Sequence, residues 1–309
     1  MVSGAAASTR QATEPTEPTE RTRMQQRTIG NRTVSAIGLG GMPMSIEGRP
    51  EASRSIATIH AALDAGVTFF DTADAYHLHA GEVGHNESLI AGAIASYDGD
   101  TSDVLIATKG GHLRPGDGTW TIDSSPDHLK RAAEASRERL GVEQIGLYQL
   151  HRPDVHVPYA ESVGAIRDLL DAGVIAMAGI SNANPEQIRL AMDVLDGRLV
   201  SVQNQFSPTY RSSEPELELC HELGIAFLPW SPLGGITSAA ALGERFSVFN
   251  DVADARGVSP QVIALAWELA KSPHVIPIPG SSRPETIRDS VTAVDVVLTV
   301  EERARLDTA

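Results

Sequence analysis

Gly38-Leu39-Gly40-Gly41-Met42-Pro43 decides between two ways of folding this chain. The stretch closes the first strand-like run, Ser35–Leu39. A doubly wound open sheet would carry a glycine-rich, phosphate-cradling turn there, leading into a helix. Here both the third spaced glycine and the following helix are missing. The competing architecture, a closed (β/α)8 barrel, needs no such turn, and the rest of the chain supplies its parts.

Working outward, seven further short apolar runs read as strands: Thr68–Phe70, Val104–Thr108, Ile145–Leu150, Ile175–Ile180, Val200–Gln203, Ala226–Pro229 and Val275–Ile278. Between them lie segments whose apolar residues recur at three and four: Ser53–Ala65, Asn86–Ser96, Pro126–Leu140, Tyr159–Ala172, Pro185–Leu195, Glu214–Leu223 and Pro260–Ala270. Asn184-Pro185 places a cap residue before proline at a first helical position. Gly66, Gly141, Gly173 and Gly224 each follow a helical stretch, where left-handed caps are expected. Eight strands alternating with helices argue for parallel pairing, and the length from residue 24 is close to the ~250 residues of a typical barrel. Gly30-Asn31, inside RTIGNRTVSAIG (Arg27–Gly38), marks a hairpin ahead of the first barrel strand. The expectation is an α/β protein, a (β/α)8 TIM barrel with an N-terminal β-hairpin cap.

Residues 1–23 differ in character. They are rich in Ala, Ser, Thr, Glu, Pro and Arg, and the repeat Thr13–Glu20 (TEPTEPTE) offers no apolar area to offset ordering entropy. They read as a disordered tail, leaving 24–309 as one barrel domain. With 40 acidic against 25 basic residues, the net charge of −15 disfavours nucleic acid and anionic membranes as partners. No apolar run approaches the roughly 20 residues needed to span a bilayer, and no signal-peptide core is present. The single cysteine, Cys220, falls in a helical pattern where packing is its expected role. One cysteine suits a reducing, cytoplasmic compartment.

Barrel chemistry sits at the C-terminal ends of the strands. Asp71 and Tyr76 follow the second run, Lys109 the third and His151 the fourth. Taken singly, each has a plain explanation: a turn cap, a packed aromatic, a solvated cation, a buried imidazole. Together they make a set suited to reducing a carbonyl. A tyrosine with a pKa near ~10 is a weak acid at neutral pH, and a neighbouring lysine favours its phenolate and lowers that value. Asp71 would hold Lys109, and His151 would orient the substrate oxygen. Ser181 and Asn182 follow the fifth run, Gln203 closes the sixth, and Trp230 and Ser231 follow the seventh.

Several stretches resemble the aldo-keto reductase family, in order from about residue 27 to the C-terminus. AGVTFFDTADAY (Ala65–Tyr76) is similar to the signature around the family's Asp and Tyr, IATKGG (Ile106–Gly111) to the segment with its Lys, and LYQLHRPD (Leu147–Asp154) to the segment with its His. GISNAN (Gly179–Asn184), VQNQFSP (Val202–Pro208), PWSPLGGI (Pro229–Ile236) and PIPGSSRPETIRDS (Pro277–Ser290) are similar to its cofactor-binding segments. The resemblance implies hydride transfer from NADPH, with NADH less favoured, to a small-molecule aldehyde or ketone. It implies a tetrad of Asp71, Tyr76, Lys109 and His151, with Tyr76 the general acid. It implies that Ser181, Asn182 and Gln203 bind the nicotinamide carboxamide and that Trp230 stacks on the ring. Gly40, Gly41, Met42, Ser231, Pro232, Leu233 and Gly280 would complete the cofactor cleft, with Ser282 and Arg283 on the adenosine 2′-phosphate.

The chain departs from that family's pattern in places. Gly280 stands where many members have a phosphate-binding Lys, Thr286 where many have an Arg, and His77 follows Tyr76 where glycine is common. The loops after strands one, four and seven are expected to set substrate choice. Two rival readings share the barrel. A metal-dependent hydrolase would use His77-x-His79 with His85, His112 and His151, although the first pair lies in a polar loop beyond the strand end. A cofactor-binding regulatory subunit would keep the fold without turnover.

Overall fold

The computed structural model describes Met1 and residues 24–235, 239, 242 and 246–309. The expected N-terminal tail lies, from residue 2 onward, outside the described residues. In chain order the strands are β1 (Gln26–Ile29), β2 (Arg32–Ser35), β3 (Leu39–Gly40), β4 (Phe69–Asp71), β5 (Leu105–Gly110), β6 (His112–Leu113), β7 (Thr121–Ile122), β8 (Leu147–Leu150), β9 (Ala178–Ser181), β10 (Leu199–Gln203) and β11 (Ala226–Phe227). Seven of them form one parallel sheet in the order β11-β10-β9-β8-β5-β4-β3.

The eighth run closes that sheet on itself. Val275 bridges Phe227 at one edge and Gly280 bridges Gly40 at the other, both in parallel sense. Backbone bonds from Gly38 to Pro277 O (2.9 Å) and from Gly40 to Pro279 O (3.0 Å) complete the seam. Pro277 and Pro279 have no N–H to give, so this segment pairs through bridges rather than a regular ladder. The first barrel strand is β3 rather than Ser35–Leu39, because Ser35 already pairs with Gln26 in the β1–β2 hairpin.

The hairpin covers the N-terminal end of the barrel. Ile29 and Val34 share an apolar cluster with Phe69, Leu105, Leu147, Met177 and Ala226 from the barrel interior. Gly30 turns the hairpin at φ +55°, and a Cβ there would meet Met177 Sδ at 2.8 Å, so a side chain has neither the conformation nor the room.

Helices α1 (Ala52–Asp64), α2 (His85–Ala95), α3 (Pro126–Leu140), α4 (Tyr159–Asp171), α5 (Pro185–Val194) and α6 (Glu214–Leu223) fall within a residue or so of the sequence reading. Gly66, Gly141, Gly173 and Gly224 all have positive φ at the helix ends, as expected. Asn184 and Gln187 form a reciprocal cap at the start of α5, worth about 1 kcal/mol. Beyond α6 the described helices are α7 (Ser247–Arg256), α8 (Pro260–Lys271), α9 (Pro284–Val291) and α10 (Val300–Asp307). Cys220 is buried in the apolar layer between helices and barrel, and burial pushes its thiol pKa upward. Among the described residues, no helix is long and apolar enough to cross a membrane.

Candidate active site

The period-two alternation of the strands decides which side chains reach the barrel interior. Along β4, Phe69 packs inside and Phe70 packs against the helices, which turns Asp71 inward. Along β5, Leu105 and Ala107 are interior, Thr108 faces out to Glu87 of α2 (2.5 Å), and Lys109 faces in. Along β8, Leu147 is interior and Tyr148 exterior, so Gln149 and His151 fall on the inner side. Gln203 reaches the same layer from β10. Gly179 of β9 leaves the space they need: a Cβ there would lie 2.8 Å from Gln149 Cγ and clash with Ser201 Oγ.

These alternations bring three of the four predicted tetrad residues into one bonded group. Lys109, fully buried, donates from Nζ to Asp71 Oδ1 at 2.6 Å, to Thr72 O at 2.8 Å and to the Tyr76 hydroxyl at 3.3 Å. Asp71 Oδ2 accepts from Gln203 Nε2 at 2.8 Å and from Gln149 Nε2 at 3.4 Å. The fourth, His151, stands edge-on to Tyr76 with ring centroids 5.7 Å apart. A buried ion pair is tolerable when its remaining donors and acceptors are satisfied, and here Thr72, Gln149 and Gln203 satisfy them. Gln149 and Thr72 were not anticipated. The signal for Gln149 was a glutamine inside the apolar run Ile145–Leu150.

The electrostatics follow from burial. Burial opposes the Lys109 charge, but Asp71 and Tyr76 outweigh it, and the ammonium pKa lies above the ordinary lysine value. Burial drives the Tyr76 phenol above its usual pKa, and Lys109 offsets only part of that rise. The expected net lowering of the tyrosine pKa is therefore corrected: desolvation of the phenolate wins over the ammonium. Burial first, then Lys109, holds His151 well below the usual histidine range, so its imidazole is neutral at pH 7. His151 Nδ1 is buried without a hydrogen-bond partner among the described residues.

Above this group opens a cleft of about 620 Å³. Asp71, Tyr76, His151, Ser181, Asn182 and Gln203 reach it from the strand ends, while Lys109 lies beneath its floor. Ser181 Oγ donates to Gln203 O at 2.7 Å, and Asn182 Nδ2 donates to His151 O at 3.0 Å and Ser181 Oγ at 2.9 Å. Trp230 Nε1 donates to Asn182 Oδ1 at 3.3 Å. Asn182 and Ser231 hold positive φ, +57° and +52°, a strained backbone at the ends of β9 and beyond β11.

Gly40, Met42 and Gly280 line the edge where the barrel closes, and Ser231, Pro232 and Leu233 line the wall beside Trp230. Gly41 does not line the cleft. Its N–H donates to Asp71 O (2.8 Å) and its carbonyl accepts from Asn86 Nδ2 (2.8 Å), and a Cβ there would clash with Asn86 Oδ1. Ser282 is half-buried and Arg283 exposed, just past Gly280 at the start of α9, and neither is part of the cleft lining.

The histidine-rich loop does not assemble around one point. His77 is buried with Nδ1 on His79 O (2.8 Å), His79 is exposed, and His85 Nδ1 bonds Ser45 Oγ (2.8 Å). Among the described residues, no group of three or more His, Cys, Asp or Glu side chains is arranged to hold a metal ion. The β6–β7 hairpin was also unforeseen. It follows strand three and carries His112, Trp120 and Ile122 into the cleft wall.

The family model for "Aldo/keto reductase family" matches residues 36–309. The chain belongs to the aldo/keto reductases. This member is 35% identical over 283 residues to an uncharacterized oxidoreductase of Schizosaccharomyces pombe, covering 90% of this chain and 88% of that one. It is 33% identical over 270 residues to the 6-dehydroglucose reductase of Novosphingobium aromaticivorans, covering 85% and 87%. A crystal structure of an aldo-keto reductase from Klebsiella pneumoniae in complex with NADPH superposes with a TM-score of 0.77 at 27% identity, covering 92% of this chain and 94% of that one. As an aldo/keto reductase, the chain is an oxidoreductase on a (β/α)8 barrel.

Proposed function

We propose that this aldo/keto reductase reduces an aldehyde or ketone with NADPH and that Tyr76 donates the proton. One observation carries the reading: the buried Lys109 ammonium bridges Asp71 and the Tyr76 hydroxyl on the floor of the cleft. That arrangement readies a phenol to lose its proton beside a fixed positive charge.

The lining residues fit the cofactor. The Ser181 hydroxyl and the Asn182 and Gln203 amides suit a carboxamide, and the Trp230 ring borders the same space. At present Asn182 bonds Ser181 and accepts from Trp230, Ser181 donates to the Gln203 backbone carbonyl, and the Gln203 amide donates to Asp71, so a bound amide would take over some of those bonds. Arg283, exposed beyond Gly280, suits a 2′-phosphate. When bound, NADPH supplies the hydride that reaches the carbonyl carbon.

Tyr76 then gives its proton to the developing alkoxide oxygen, which becomes the alcohol. Lys109 stabilises the phenolate left behind, an interaction strengthened by the water-poor setting. Neutral His151 donates a hydrogen bond to the substrate oxygen without competing for the proton. Asp71 keeps Lys109 charged and in place. Residues 24–309 serve as one catalytic domain.

The test is a panel of aldehydes and ketones followed by loss of NADPH absorbance, with NADH in parallel. Turnover with NADPH, faster than with NADH, is the expected result. Purified protein that binds NADPH but reduces no carbonyl would contradict the reading and favour a cofactor-binding regulatory role.

A further inference from the structure

Among the described residues, two matched charge pairs and one unmatched charge border the cleft. On the floor, Asp71 is held by Lys109. On the wall, the Arg114 guanidinium pairs with Glu47, donates to His77 O at 2.5 Å and lies 4.9 Å from the Trp120 ring centroid. His112 stacks on Trp120 at 4.6 Å and stands edge-on to His151 at 4.9 Å. Burial, followed by the charge of Arg152, brings its pKa down to about 4, so it is neutral at pH 7.

Arg152 remains. It sits next to His151 in the cleft lining, half-buried, and its side chain makes no hydrogen bond or ion pair among the described residues. It lines the same cleft as Tyr76, His112 and His151, and its positive charge lowers the pKa of each of them. An arginine fork partly withdrawn from water and left unpaired is unfavourable unless an anion completes it. Net charge offers no explanation, since the chain carries −15. The wall beside it is apolar, formed by Trp120 and Ile122.

We propose that Arg152 recognises an anionic group on the substrate, a carboxylate or phosphate set a few atoms from the reacting carbonyl, with the apolar body of the molecule against Trp120 and Ile122. This rests on the carbonyl-reductase reading and adds a substrate class to it.

Four aldehydes of one shape test it: benzaldehyde, 4-carboxybenzaldehyde, methyl 4-formylbenzoate and 4-formylphenyl phosphate. The wild type should favour at least one charged aldehyde over the neutral ester by about tenfold or more in kcat/KM, chiefly through KM, as a charge-assisted bond predicts. The better of the carboxylate and the phosphate identifies the anion. Arg152→Gln should erase that preference, lowering kcat/KM for the favoured charged aldehyde about tenfold more than for benzaldehyde, and Arg152→Lys should restore part of it. Equal rates for charged and neutral aldehydes in the wild type, or equal losses for all four in Arg152→Gln, would overturn the proposal.

A binding arm separates this from failure of the reductase reading. Tryptophan fluorescence is titrated with benzoate and with phenyl phosphate in the wild type and in Arg152→Gln. Saturable quenching that Arg152→Gln loses supports the anion site even without turnover. Absent quenching by both anions, or quenching unaffected by Arg152→Gln, overturns it.

Discussion

Gln203 Nε2 donates to Asp71 Oδ2 at 2.8 Å, across the barrel and 132 residues apart in sequence. The bond ties β10 to β4 at the level where Lys109 is held. Gln203→Leu removes a donor from a buried carboxylate, which costs about 1–3 kcal/mol. Urea denaturation should show that loss, and NADPH affinity should weaken with it. An unchanged unfolding midpoint would mean that Asp71 does not depend on the bond.

The pH profile should reflect burial rather than free side-chain values. In the proposed mechanism reduction needs protonated Tyr76, whose pKa is raised, so kcat/KM should fall only as pH rises through a value above the usual tyrosine one. His151 is held well below 6.5 and should contribute no break near that pH. A flat profile from about pH 6 to 9 is expected, since ordinary histidine and tyrosine pKa values lie near 6.5 and 10. A limb centred near the free histidine value would contradict the neutral assignment.

Arg283, exposed at the start of α9, is the residue proposed to meet the adenosine 2′-phosphate. Arg283→Ala should raise the KM for NADPH by about tenfold, in keeping with loss of a charge-assisted phosphate contact, and leave that for NADH nearly unchanged. Steady-state kinetics with both cofactors checks this. Equal increases would remove the phosphate role.

Burial likewise ties stability to pH. His112 has a folded pKa of about 4 against about 6.5 when unfolded, so between these values the unfolded chain binds the extra proton. Stability should fall as pH drops from about 6.5 toward 4, by at most about 1.4 kcal/mol per pH unit for this residue. Thermal melts of the wild type and His112→Gln should differ in that slope. Parallel slopes would show that the imidazole is accessible.

The barrel was legible in the sequence because its strands are short apolar runs and its helices end at glycines that adopt positive φ. Elements without such a signal were not. The β6–β7 strands are two residues each and separated by turn residues, α7 is a polar segment ahead of the last clear helix pattern, and α9 and α10 are polar segments after the last strand-like run. Tetrad residues stood out because polar groups close apolar runs. Arg152 and Trp120 lacked that mark, since both lie past strand ends where charged and aromatic residues are ordinary. The direction of the Tyr76 shift was missed because sequence shows a neighbouring cation but not the depth of burial, and burial is the larger effect.

The central claim is that the Tyr76 hydroxyl is the proton source. Single-turnover reduction by Tyr76→Phe, loaded with NADPH, tests it most directly, with quenching of tryptophan fluorescence as the measure of cofactor binding. The predicted result is cofactor bound as in the wild type and reduction slowed by about 10²-fold or more, as expected for removal of a general acid. Reduction at the wild-type rate would contradict the account.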